Sequence, residues 1–93
     1  MNHLILKKLV SLIELMANKT KVEDLKKILV SLNTYPKVNE LTDEDNLFAK
    51  GALDSLILIQ YVLAIEDHFK IRFDSEKITY ENFTSLNKIS QLF

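Results

Sequence analysis

The chain opens with an apolar segment that polar residues interrupt at regular intervals. These polar positions are His3, Lys7, Ser11, Glu14 and Asn18. Because a spacing of three or four residues is the helical period, the pattern predicts a broadly apolar helix over residues 3–17 with one narrow polar stripe. Thr20-Lys21-Val22-Glu23 then has the form of a capping box, which predicts that a second amphipathic helix begins there and runs to about Asn33.

The rest of the chain alternates between polar connections and apolar segments. Tyr35-Pro36 is predicted to end the second helix, because the residue before proline is disfavoured in helical conformation. A long polar connection to Asp54 follows, with apolar anchors at Val38, Leu41, Leu47 and Phe48. A loop of this length in a small domain points to function.

Two further helices are predicted beyond this connection. Asp54 is expected to cap a long apolar helix that runs from Ser55 to about Phe69. One short helical turn is expected near residues 75–80, and Thr84 is expected to cap a last helix over residues 85–92. No segment has the alternation and hairpin turn of a paired strand. The fold class is therefore all-α.

We expect the helices to enclose one modest core, as befits 93 residues. Its predicted members are Val22, Leu25, Leu29, Leu47, Phe48, Val62, Ile65, Phe69, Ile71, Ile78, Leu86, Ile89 and Leu92.

Charge and composition exclude several classes of protein. Residues 1–37 hold seven lysines against three acids, while residues 38–93 hold five basic residues against ten acids. This split argues against a nucleic-acid binder, which needs a basic face without an equally strong acidic one. The chain has no cysteine, which rules out disulfides and thiolate zinc sites and fits a reducing compartment, with the cytoplasm as the expected location.

The N-terminal segment does not resemble a signal peptide or a membrane span. Its lysines lie inside the apolar run, and no small-residue cleavage site follows. The segment is also too short and too interrupted to cross a bilayer.

The loop and helix around Ser55 resemble a known family. "LFAKGALDSL" leads into an apolar helix that ends in "AIEDHFKIRF", and a short helix follows "NFTSLNKI". This order is similar to that of the acyl carrier and peptidyl carrier proteins over roughly residues 20–93. Asp54-Ser55-Leu56 matches the family's Asp-Ser-Leu, whose serine carries a 4'-phosphopantetheine arm. The resemblance implies a four-helix carrier domain over residues 20–93, with residues 1–19 as an additional N-terminal amphipathic helix.

The resemblance also implies a function and partners. Ser55 would carry covalent 4'-phosphopantetheine from coenzyme A, with Asp54 and Leu56 beside it, and acyl or aminoacyl groups would be held on the arm as thioesters. The expected partners are a phosphopantetheinyl transferase and the adenylating, acyl-loading, condensing or transferring enzymes of a biosynthetic pathway. The chain would be a substrate of these enzymes and not itself an enzyme.

Other chemistry is poorly supported. A nucleophile and its base need hydrogen-bond contact, and His68 lies about three and a half turns from Ser55. Asp43, Glu44 and Asp45 lack the ligand spacing of a calcium loop, so they are interpreted as a solvated acidic loop. No catalytic residue and no metal site are predicted.

Differences between this sequence and the common fatty-acid carriers indicate which type of carrier it is. The helix after Ser55 has few acids, and Ile57, Gln60 and Leu63 are expected to form an apolar docking face for partner enzymes. "GALDSL" looks more like aminoacyl carriers, which favours a free-standing, specialised carrier of the aminoacyl, polyketide or non-ribosomal-peptide type. The alternatives are a fatty-acid-synthesis carrier and a helical interaction module without a prosthetic group. For residues 1–19 the alternatives are a helix packed on the bundle, a docking or dimerising helix and, less favoured because the segment has few lysines, a helix that binds a membrane surface.

Overall fold

The computed structural model describes residues 3–32 and 40–93, with side chains from residue 5 onward. Three α-helices lie in this part of the chain: α1 (His3–Leu32), α2 (Ser55–Phe69) and α3 (Leu86–Ser90). Two single turns of 3-10 helix, Ser75–Lys77 and Glu81–Phe83, connect α2 to α3. The described residues contain no strand. The all-α bundle predicted from the sequence is confirmed.

The predicted break at Thr20 is wrong, because α1 continues through it without interruption. The Thr20 hydroxyl donates a hydrogen bond to the carbonyl of Met16, 3.0 Å away and one turn earlier. Threonine makes this bond inside a helix as readily as it caps a helix start. The expected additional helix is therefore the first half of α1, and the predicted stop at Tyr35-Pro36 and the anchor Val38 lie outside the described residues.

Burial divides α1 into two halves. Residues 5–20 are all exposed, whereas Val22, Leu25 and Leu29 are buried in the bundle. We call residues 3–19 the N-terminal arm. The interpretation of this segment as a helix packed on the bundle is wrong, because none of its described side chains is buried.

The core lies between the second half of α1, α2, α3 and the loop before α2. Tyr61 and Phe83 are the largest fully buried side chains, and neither is among the core residues predicted from the sequence. Ile78 was predicted there but is 36% exposed, while Phe48, Phe69, Ile71 and Leu92 are only partly buried at its edge. The buried apolar residues are Val22, Leu25, Leu29, Leu41, Leu47, Ala52, Leu53, Tyr61, Val62, Ile65, Phe83, Leu86 and Ile89.

Lysines of α1 bind carbonyl groups at the ends of distant segments. Lys21 Nζ donates to the carbonyls of Ser90 and Phe93 and lies 4.5 Å from the centre of the Phe93 ring. Lys26 Nζ donates to the Leu41 carbonyl at 2.8 Å. Polar groups at the edge of a core need hydrogen-bond partners, and here the two lysines supply them. These contacts hold the loop before α2 and the C-terminal segment against α1.

Candidate functional site at the start of α2

A compact turn fixes the backbone that leads to Ser55. The Asn46 side-chain oxygen accepts hydrogen bonds from the N–H groups of Phe48 and Ala49, at 3.1 and 3.0 Å. The Leu47 carbonyl then accepts from Ala52 and Leu53, at 2.8 and 3.1 Å. The loop thus bonds to itself directly before α2.

Gly51 allows this turn to close. Its φ is +78°, a left-handed conformation that glycine adopts without the steric cost borne by other residues. Ala52 and Leu53 follow and are buried, at 0% and 3% exposure. Because both side chains are buried, they fix the position of the backbone directly before Ser55.

Asp54 begins α2 as predicted. Its Oδ1 accepts a hydrogen bond from the Ile57 N–H at 2.8 Å, and its extended backbone conformation is that of an N-cap. Ser55 is the first helical residue and is exposed. The first-turn N–H groups of a helix lack intrahelical partners and carry its positive dipole end, so Ser55 Oγ lies where an attached phosphate group is stabilised.

Exposed apolar side chains follow Ser55 along one face of α2. Leu56, Ile59 and Leu63 are 64%, 60% and 61% exposed, and Gln60 is exposed between them. Their spacing of three and four residues places all four side chains on one stripe. We call these four residues the α2 stripe.

Ile57 does not belong to this stripe, contrary to the sequence prediction. It is partly buried and packs against the core. The Asp54 cap sets the rotation of α2, and at 100° per residue this rotation turns Ile57 inward and Ile59 outward. The signal was present in the sequence, because Ile57 shares a face with Tyr61 and Ile65, one and two turns further on.

The two acids near the end of α2 differ in their surroundings. Glu66 Oε2 accepts a hydrogen bond from the Phe73 N–H at 2.9 Å, so this carboxylate holds the segment after α2. Asp67 is 88% exposed, with Lys70 Nζ 3.7 Å away. Of these two acids, only Asp67 is exposed.

His68 and Ser55 lie at opposite ends of α2. His68 Nε2 is 3.5 Å from Asp24 Oδ2 of α1, in a pair between the two helices. It is about 20 Å along α2 from Ser55. His68 therefore contributes to the packing of α1 and α2 and does not approach Ser55.

Oxygen atoms of the acidic loop accept hydrogen bonds from backbone N–H groups. Asp45 Oδ2 accepts from the Thr42 N–H at 2.9 Å, and this hydrogen bond lowers the pKa of Asp45. The Asp43 carbonyl accepts from the Asn87 N–H at 3.0 Å. Within the described ranges, no group of acidic or histidine side chains has an arrangement that could hold a metal ion.

The exposed serine at the capped start of α2 is the arrangement that the resemblance to carrier domains implies. The model of the phosphopantetheine attachment site family matches residues 11–93. The chain belongs to this family, whose domains are the sites of covalent 4'-phosphopantetheine attachment and act as carriers. No curated protein matches the chain.

The family assignment has direct consequences. A carrier domain is acted on by a phosphopantetheinyl transferase and by biosynthetic enzymes, and such domains are generally not catalytic themselves.

None of the helices in the described part of the chain is long and apolar enough to cross a membrane.

Proposed function

We propose that Ser55 carries the 4'-phosphopantetheine arm and that the chain presents acyl or aminoacyl groups on it as thioesters. The observation that carries this proposal is the placement of Ser55, which is exposed at the first turn of α2 directly after the Asp54 cap. The prosthetic group supplies the thiol, which a chain without cysteine lacks.

The chain's own residues prepare the attachment point. Asp54 takes up the Ile57 N–H, which leaves the N–H groups at the very start of α2 to face a phosphodiester. Such an anion at an exposed helix N-terminus is stabilised by about 0.3 to 1 kcal/mol. Buried Ala52 and Leu53 fix the position of Ser55 at the surface of the core. The α2 stripe presents apolar surface beside it.

Intact mass tests the attachment. The protein is incubated with coenzyme A and a phosphopantetheinyl transferase of broad specificity, and one addition per chain is expected. Ser55→Ala should abolish the addition with helical content retained. Ser75→Ala is the matched control, because Ser75 is also an exposed first residue of a helical turn but lacks the Asp-Ser-Leu context. An addition that persists in Ser55→Ala would refute the proposal.

We further propose that the carrier is of the specialised aminoacyl, polyketide or non-ribosomal-peptide type. The α2 stripe supports this, because partners of the acidic fatty-acid carriers dock by charge whereas this face offers Leu56, Ile59 and Leu63. Loading enzymes are proposed to contact this stripe. A fatty-acid-synthesis carrier is the second candidate, favoured only if loading is strongly weakened by salt.

We propose a domain boundary near residue 20, with residues 1–19 as an extension and residues 20–93 as the carrier domain. The change in burial supports it, since α1 is exposed through Thr20 and enters the core at Val22.

A further inference from the structure

The N-terminal arm exposes more large apolar side chains than any other part of the described chain. Eight of them have exposures between 47% and 67%. Leu15 lies on one side of the helix, and the other seven share the opposite, outward side: Ile5, Leu6, Leu9, Val10, Leu12, Ile13 and Met16. A contiguous apolar surface of this kind on a soluble protein marks an interface.

The apolar face of the arm points away from its own bundle. Leu9 and Ile13 each lie sixteen residues before a core residue, Leu25 and Leu29 respectively. Sixteen residues make about four and a half turns, so the two pairs lie on opposite sides of α1. The bundle of the same chain therefore lies behind the apolar face of the arm and does not cover it.

The polar stripe of the arm shows the same relation in reverse. Lys7 and Ser11 lie eighteen residues before Leu25 and Leu29, which is five full turns. They thus stand on the side of α1 that becomes the core face further along. One continuous helix carries two apolar faces, the second half facing the bundle and the first half facing outward.

The outward face has the spacing of a helix-pairing seam. Leu6, Leu9, Ile13 and Met16 are separated by three, four and three residues, the alternation by which two helices interlock side chains. Leu12 and Val10 flank this seam. The same alternation continued along α1 reaches Thr20, Glu23 and Lys27, so the apolar part of the seam ends with the arm.

We propose that the arm pairs with the arm of a second copy of this chain, in antiparallel orientation. In that register Leu6 packs against Met16 of the other copy and Leu9 against Ile13, so every seam position is apolar. In a parallel pair the seam would instead continue past the arm. Glu23 would then face Glu23 of the second copy, and Lys27 would face Lys27. The charges beyond the arm therefore select the antiparallel arrangement.

The available surface is sufficient for a stable dimer. At roughly 100 Å² of exposed surface for each side chain, the seven residues offer about 700 Å² per copy. Complete burial of this surface in two copies gives an upper bound of about 1,400 Å², which reaches the range of roughly 1,200 to 2,000 Å² for specific protein interfaces. Since the bundles lie behind the arms, the two carrier domains do not obstruct the contact.

Light scattering on the full chain after size exclusion tests the pairing. The expected mass is twice the 10.8 kDa of one chain. Leu9→Glu combined with Ile13→Glu should halve the mass, because it places four charges in the dimer seam. Ser11→Glu combined with Asn18→Glu is the matched control, since it adds the same charge at exposed positions on the other side of α1 and should stay dimeric. Circular dichroism confirms that each variant is folded.

Disulfide trapping tests the orientation, since the chain has no cysteine of its own. Leu6→Cys and Met16→Cys are made separately in a Ser55→Ala background, which excludes the prosthetic thiol, then mixed and oxidised. Antiparallel pairing predicts the mixed disulfide, identified by its mass. Disulfides between identical chains in its place would refute that orientation.

Three results would overturn the pairing itself. These are a monomeric wild-type chain, a dimer that survives the paired glutamates, and a monomer that binds vesicles of phosphatidylcholine and phosphatidylglycerol through the arm. The last result would make a lipid surface the occupant. Because the dimer is also expected with Ser55→Ala, failure of this proposal is distinct from failure of the attachment proposal.

Discussion

Tyr61 provides a precise test of how α1 and α2 are held together. Its ring is fully buried, and its hydroxyl donates to the Leu25 carbonyl at 2.7 Å. Tyr61→Phe keeps the ring and removes only this bond. A neutral hydrogen bond contributes about 0.5 to 1.5 kcal/mol net. The Leu25 carbonyl also has its place in the α1 hydrogen-bond ladder, so it is not left without a partner, and we expect a loss of about 1 kcal/mol at pH 7.

The same substitution should alter the response to alkali. Burial raises the pKa of Tyr61 well above its ordinary value of 10.0, because the phenolate would lose its hydration in the core. Above about pH 10 the unfolded chain therefore releases a proton that the folded chain retains, and stability falls by up to about 1.4 kcal/mol per pH unit from this group. Tyr61→Phe lacks this loss, so its stability should equal that of the wild type at about pH 10 to 11.

Urea unfolding at a series of pH values measures both effects. Tyr80→Phe is the control: its ring is 60% exposed and stacks on Phe48, and because Tyr61 is intact the alkaline loss should remain. If Tyr61→Phe matched the wild type at neutral pH and fell equally steeply in alkali, the hydroxyl would not be buried against α1 as described.

Three further substitutions test the site and its support. Leu63→Glu should slow loading by the partner enzyme more than Asp67→Asn does, at low and high salt alike; a larger, salt-dependent effect of Asp67→Asn would indicate docking by charge. Phe69→Ala should cost roughly 1.5 to 2.5 kcal/mol, below the about 3 to 5 of a fully buried phenylalanine, since Phe69 is partly buried; complete unfolding in urea-free buffer would contradict this. Gly51→Ala should cost about 1 to 2 kcal/mol from backbone strain alone, because nothing lies within 4 Å of the added methyl group, and an unchanged urea midpoint would exclude the left-handed turn.

The helix that carries the site was predictable because its start and its end both have local causes. Asp54 caps it, and Lys70 ends it in left-handed conformation with φ of 57°. Its rotation about its own axis was harder to predict, and Ile57 was assigned to the wrong face. Almost every position from Leu56 to Ile65 is apolar, so periodicity alone does not distinguish the core face from the exposed stripe.

The errors elsewhere arise from polar residues that fit two local roles. Thr20 has the pattern of a cap but bonds back to Met16 within α1. Near the C-terminus, Ser85 and not Thr84 caps the last helix, accepting from the Lys88 N–H at 3.1 Å, while the Thr84 hydroxyl donates to the Glu81 carbonyl. The choice between adjacent hydroxyl residues depends on the 3-10 turn before them, which the sequence does not indicate.

The unbroken passage of α1 from the arm into the bundle has a mechanical consequence. A flexible tether would let the carrier domain explore a broad volume, whereas a helix of about 45 Å works as a stiff lever. A partner bound to the arm therefore fixes both the distance of Ser55 from that partner and the direction in which Ser55 faces. One residue inserted at the junction would swing the bundle by about 100°, while seven inserted residues, nearly two turns, would restore its bearing about 10 Å further out.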